Sequence, residues 1–256
     1  MVKTYAYGFP RIGKDRGYKK VIEKFWKGEI TEIDFRYLMM TLDLEITSAY
    51  REYVDFYPVH EMTIYDKMLD TAIMLGVYDP KTLDEYYELC RGKDCLEMTK
   101  WFNTNYHYLV PDLTEWEVDL NSLKNDIVPS RPWTCSPSRS KNEPYCSIQN
   151  NSSFIGPFTF LKLSKGVDDM KSYCWSIAMA YASYINKFKN ISDIEIDTIH
   201  IEEPAFVMDL TEEEISCIKE IYSVLKENIP SIKINLFTYY EDCLLYTSPS
   251  PRDRTR

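Results

Sequence analysis

The sequence predicts an α/β fold in which short parallel strands alternate with helices. Three observations carry this. Short runs rich in β-branched and aromatic residues ("TYAYGF", "DTIHIEEPAF", "SIKINLFTYY") are separated by longer stretches with an apolar residue every three to four positions. Thr31 with Asp34, Thr82 with Glu85 and Thr211 with Glu214 have the spacing of helix-opening capping pairs. Gly28, Gly76 and Pro204 stand where elements should stop. The number of strand–helix units suits part of a (β/α)8, TIM-type barrel, so the expected architecture is an incomplete barrel.

The elements follow in order. "TYAYGF" reads as a strand, and Gly8, Pro10 and Gly13 break it into a loop. A helix is predicted from Asp15, with Tyr18, Val21, Ile22 and Phe25 on its apolar face and Gly28 at its end. Thr31 opens a second helix with the stripe Phe35, Leu38, Met39, Leu42, Ile46 and Ala49. "YVDFYPV" reads as a strand, "YDKMLDTAIMLG" as a helix closed by Gly76, and "LDEYYELC" as a helix opened by Thr82. "EMTKWFNTNYHYLVPD" has neither helical nor strand periodicity. "IGPFTFLKLS" reads as a strand or loop entering a helix. Residues 168–189 predict a long helix with Tyr173, Ile177, Tyr181, Tyr184 and Phe188 on one side. A strand through "DTIHIEEPAF" ends at Pro204, a helix runs from Thr211 to Glu227, and "SIKINLFTYY" is a last strand. Two segments break the pattern. Residues 129–153 are rich in Ser, Pro and Asn and are expected to be a disordered insert, unable to supply a strand before "IGPFTF". Residues 244–256 form a basic tail that resembles translated adapter sequence and is expected to lie outside the domain.

Composition excludes several classes. A net charge of −10 argues against general binding to nucleic acid or acidic membranes, so an anionic ligand must be met by a local basic cluster. The seven cysteines are scattered with no C-x-x-C pair, and with three histidines they make no zinc-ligand cluster; reduced thiols in a cytoplasmic protein are expected. No apolar run approaches the ~18 residues of a membrane span.

Several long motifs together resemble the amino-terminal domain of cobalamin-independent methionine synthases. They are "YGFPRIGKDRGYKK", "FWKGEIT", "DFYPVHEMTIYDKMLDTAIMLGV", "EMTKWFNTNYHYLVPD", "IGPFTFLKLSK" and "IHIEEPAFVMDL", in the family's order. The resemblance runs from residue 4 to about 243, leaving out roughly 129–153. It implies a partial amino-terminal barrel over residues 1–243. The family enzyme has two (β/α)8 barrels and moves a methyl group from 5-methyltetrahydropteroyl-polyglutamate to homocysteine. Its zinc and homocysteine sites lie in the carboxy-terminal barrel. The chain is therefore expected to be the folate-binding part of such an enzyme, to bind folate weakly or not at all as it stands, to bind no cofactor itself, to meet homocysteine only through the second barrel, and to be inactive alone.

Arg16, Lys19 and Lys20 fall at i, i+3 and i+4 near a predicted helix N-terminus, where backbone amides favour an anion. From spacing alone, an ordinary solvated face is the simpler reading. The resemblance assigns Arg16 and Lys19 to a folate-binding R-x-x-K window that also contains Tyr18. Gly17 departs from the family's usual glutamate and weakens the first turn by ~1 kcal/mol relative to Ala. The resemblance also places Lys100 and Asn105 near folate: a cation can meet a glutamate carboxylate, and an amide both edges of a pterin. Trp101, Phe102, Tyr106 and Tyr108 are expected as an aromatic wall or as core. His107 is expected to be structural and hydrogen-bonded, and His200 a packing residue. His60 follows a predicted strand, but the family usually has a small residue there, so it receives no role. Glu202 and Glu203 must point to opposite faces of their strand. Glu203 matches the family's Asp-Glu-Pro and is expected to order the following loop. No residue is assigned to catalysis or to a metal. Two other readings stand beside this one: a barrel-type glycoside hydrolase using Glu202 or Glu203 with an unnamed second carboxylate, and a non-catalytic folate-binding remnant.

Overall fold

The amino-terminal helices form where the capping chemistry places them. In the computed structural model, the described residues are 4, 14–55, 63, 65–92, 95–104, 106–118, 153–191 and 198–239. A 3-10 turn at Lys14–Arg16 leads into α1 (Gly17–Trp26), so α1 starts two residues later than Asp15. The reason is backbone conformation: Asp15 and Arg16 take positive φ, 55° and 59°, which an α-helix does not admit. α2 (Glu32–Tyr53) opens on the expected pair. Thr31 N donates to Asp34 Oδ2 at 3.0 Å, and Asp34 N donates to Thr31 Oγ1 at 3.2 Å. α3 (Lys67–Met74) is capped by Asp66 and followed by Gly76 at φ 74°. α4 (Leu83–Arg91) is capped by Thr82, whose side chain accepts from Glu85 N.

These four helices bury one apolar cluster. It includes Val21 and Ile22 of α1, Phe35 and Met39 of α2, Leu69 and Ile73 of α3, and Tyr86 and Tyr87 of α4. Aromatic rings fill it edge-on: Tyr87 meets Trp26 at 5.3 Å and 90°, and Phe35 at 6.1 Å and 87°. "YVDFYPV" departs from its expected strand at its start, because Tyr53 still belongs to α2 and Val54 and Asp55 are not extended in a sheet. The remainder of that run, like "YAYGF" at the amino terminus, lies outside the described residues.

The stretch with no readable period is a hairpin. β1 (Met98–Lys100) pairs antiparallel with β2 (His107–Leu109), in the register Met98↔Leu109 and Lys100↔His107. Three residues per strand are too few for alternation to show in the sequence.

The second half is built of parallel βαβ crossovers. β3 (Ser153–Ile155), α5 (Pro157–Lys162), α6 (Met170–Ile191), β4 (Thr198–Glu202), α7 (Glu212–Asn228) and β5 (Lys233–Phe237) follow in chain order. The strands form one parallel sheet in the order β3-β4-β5, with Ile155 opposite Glu202 and Glu202 opposite Phe237. α6 and α7 cover it. Ile177 and Tyr181 from α6, Ile221 and Leu225 from α7, and Ile199 and Ile201 from β4 are buried together. The Tyr181 hydroxyl donates to Ile155 O at 2.6 Å and ties α6 to β3. The capping box at Thr211 and Glu214 is complete. β3 starts at Ser153, the last residue of the segment expected to supply no strand, and continues through Phe154 and Ile155 beyond it. A parallel ladder is held by backbone groups, and a strand this short needs no apolar run. Residues 129–152 and 244–256 lie outside the described residues.

The expected α/β character and parallel pairing are therefore present. The described residues form a mixed α/β domain with one two-stranded and one three-stranded sheet, and no barrel closes among them.

Candidate functional site

Arg16, Lys19 and Lys20 are exposed at the head of α1. Arg16 is the N-cap residue and makes no side-chain capping bond, and the first turn contains no acidic residue. The amides of that turn therefore add a positive end to three cations. Lys19 Nζ sits 3.5 Å from Glu23 Oε1, but the two side chains are 63% and 42% exposed. An exposed i,i+4 pair of this kind is worth only about 0.3–0.5 kcal/mol, so it leaves Lys19 competent to meet a carboxylate. Tyr18 is half-buried, and its hydroxyl donates to the carbonyl of Thr63.

On the hairpin, Lys100 and its cross-strand partner His107 are both exposed. His107 is thus a surface residue. Asn105 and His60 lie outside the described residues. The aromatic residues divide. Trp101 and Tyr108 are buried and meet edge-to-face at 5.4 Å. The Tyr108 hydroxyl donates to Leu163 O at 3.0 Å. These two rings are core, not wall. Phe102 is half-buried, packs edge-on against Trp101 and takes φ 50° in the turn; Tyr106 is exposed.

The residues just ahead of α3 connect these surfaces. Thr63 O accepts from Tyr18 of α1, and Tyr65 O accepts from Tyr106 Oη at 3.5 Å. Asp66 Oδ2 accepts from Leu69 N of α3 at 2.9 Å and from Leu109 N of β2 at 3.3 Å. Lys67 Nζ lies 2.6 Å from Glu202 Oε1, and Tyr239 Oη donates to Glu202 Oε2 at 2.8 Å. The sequence reading does not single out Asp66, Lys67 or Tyr239. Only Asp66 carries a local signal, an acidic N-cap residue directly before the helical run "KMLDTAIM".

Glu202 and Glu203 point to opposite sides, as the strand requires. Glu203 is fully buried and is surrounded by donors: Phe158 N at 3.2 Å, Thr159 N at 2.8 Å, Thr159 Oγ1 at 2.6 Å and Tyr222 Oη at 2.7 Å. It holds the start of α5 and ties it to α7, which is an ordering role. Burial pushes its carboxyl up to about 7, and the hydrogen bonds from Thr159, Tyr222 and Phe158 limit the rise. A carboxylate so enclosed is held by the fold's own donors. Gly156 makes this arrangement possible, since a Cβ there would stand 2.0 Å from Glu203 Cδ. Gly156→Ala is accordingly expected to destabilise the fold by about 1–3 kcal/mol, read as a lower urea midpoint at unchanged slope.

His200 is buried and stacked on Phe237 at 4.8 Å, as expected of a packing residue. Burial first and Lys233 second bring its pKa down to about 4, so it is neutral at pH 7. Among the described residues no group of three His, Cys, Asp or Glu side chains is placed to hold a metal ion, so the described part offers no fit for zinc. No described helix is long and apolar enough to cross a membrane.

Parallel crossovers, a helix start with exposed cations and a hairpin define a mixed α/β domain. Residues 3–248 match the family described as "Cobalamin-independent synthase, N-terminal domain". The 5-methyltetrahydropteroyltriglutamate–homocysteine methyltransferase of Thermotoga petrophila is 36% identical over 259 residues, covering 96% of this chain and 33% of that protein. The enzyme of the same name from Thermotoga maritima is 36% identical over 258 residues, and that of Bacillus cereus 35% over 250, each covering 94% of this chain. The chain belongs to the cobalamin-independent methionine synthase family, and its match is to the amino-terminal domain. It spans about a third of the length of the curated relatives it matches.

Proposed function

We propose that this chain is the amino-terminal, folate-holding part of a 5-methyltetrahydropteroyltriglutamate–homocysteine methyltransferase, and that it transfers no methyl group by itself. The observation that carries this is the exposed set Arg16, Lys19 and Lys20 on an uncapped, acid-free helix start, with Lys100 exposed on the hairpin. On a chain of net charge −10, such local cations are what a polyglutamate tail requires. Each charge-assisted contact to a tail carboxylate contributes about 1.5–3 kcal/mol where the geometry is good. Asn105 is assigned to the pterin. Tyr18 supports the site through its bond to Thr63.

The three parallel strands fit one arc of a (β/α)8 barrel. The relatives' remaining length is where we place homocysteine binding and the zinc that, when bound, activates the thiol. The residues of this chain hold and orient the folate. We place the protein in the cytoplasm, with reduced thiols and no nucleic-acid or membrane partner.

The test is an assay of the 256-residue chain with 5-methyltetrahydropteroyltriglutamate, homocysteine and zinc. No methionine is expected from this chain alone. Sustained turnover without a second polypeptide overturns the proposal.

A further inference from the structure

We infer that Asp66 is a positioning residue that sets the spacing between the two cation surfaces and so governs the preference for ligands with a long anionic tail. The inference rests on the folate reading above.

Asp66 is 2% exposed and N-caps α3 through Leu69 N. The same oxygen takes Leu109 N of β2, which lies 43 residues further along the chain. One carboxylate oxygen thus fixes the hairpin against α3. α3 and α1 both contribute to one buried cluster, Leu69 and Ile73 from the first and Val21 and Ile22 from the second. Leu109 belongs to that cluster too. The neighbours of Asp66 repeat the pattern. Thr63 takes the Tyr18 hydroxyl from α1, Tyr65 takes the Tyr106 hydroxyl from the hairpin, and Lys67 pairs with Glu202 at the end of β4. The residues leading into one helix therefore link the element that bears Arg16 and Lys19 to the element that bears Lys100.

This has a consequence for a ligand with several charges. A tail gripped at two places gains from the second grip only when the spacing matches its length, through effective concentration. A ligand with a single glutamate engages one place and is indifferent to the spacing. Asp66 should therefore affect long tails selectively, which a purely structural cap would not.

The experiment is calorimetric titration of the whole 256-residue chain with pteroylmonoglutamate and pteroyltriglutamate. Wild type is expected to favour the triglutamate by about tenfold or more. Asp66→Ala should reduce that preference to about threefold or less. Asp66→Asn, which keeps an acceptor oxygen, should restore most of it. Gly156→Ala, which destabilises the fold elsewhere, should leave it intact and so separates positioning from stability. Should Asp66→Ala fail to fold, the double variant Tyr18→Phe with Tyr106→Phe removes the two flanking ties and is expected to show the same loss. A preference retained in Asp66→Ala, or in the double variant, overturns the inference. Wild type that binds both ligands equally also overturns it while leaving the folate reading in place. Wild type that binds neither ligand ends the folate reading and the inference with it.

Discussion

Replacing Glu203 with alanine is expected to lower the unfolding free energy by about 3–5 kcal/mol. The carboxyl is completely buried and meets Phe158 N, Thr159 N, Thr159 Oγ1 and Tyr222 Oη. Alanine leaves these donors enclosed with no acceptor and opens a cavity beneath α5. Glu203→Gln keeps one acceptor oxygen and is expected to lose about half as much. The same residue makes stability depend on pH with a definite sign. Its pKa rises from an ordinary 4.5 to about 7 in the folded chain, so the native state holds the proton more tightly than the unfolded state. Its contribution is full below pH 4.5 and is lost as pH rises through about 7. The total is at most about 3 kcal/mol. Urea unfolding of wild type and Glu203→Gln between pH 4.5 and 8 checks this: the stability difference should shrink as pH rises. A difference constant across that range would show that Glu203 does not titrate there.

The second large effect is on binding. Lys19→Glu combined with Lys100→Glu is expected to weaken pteroyltriglutamate binding by about 100-fold or more, since each reversal replaces an attraction with a repulsion. Both lysines are exposed, so the unfolding free energy should change by no more than about 0.5 kcal/mol for each. Glu23 relaxes the change at Lys19 only slightly, because their pair is solvated. Titration of the double variant, alongside its urea midpoint, separates lost binding from lost folding. Unchanged affinity in a folded double variant would move the tail off these surfaces.

What can be read from the sequence is what is local. The caps at Thr31, Thr82 and Thr211 join a side chain to a backbone amide three residues on, so their spacing announces them. Gly76 marks a positive φ where a helix ends. Strand alternation correctly sends Glu202 and Glu203 to opposite faces. The cations of α1 are visible as a helical face, and only the family motif suggests that face as a folate site.

The features that escape depend on distance along the chain. Lys67 meets Glu202 across 135 residues, and no local pattern encodes the pair. Asp66 is readable as a cap, but its second bond to Leu109 N is not. Trp101 and Tyr108 resemble a ligand wall because aromatic residues suit walls and cores alike. Their burial is decided by Leu163 and the helices behind them. The hairpin itself is hidden by the shortness of its strands.

Exposed cations on α1 and the hairpin hold the polyanionic tail of a folate in the proposal made above. Calorimetric titration of the wild-type chain with 5-methyltetrahydropteroyltriglutamate, at low and at physiological ionic strength, tests it most directly. Saturable one-to-one binding that weakens as salt rises is the expected result, because the cations are exposed and screened. Absence of saturable binding, or an affinity indifferent to salt, would contradict it.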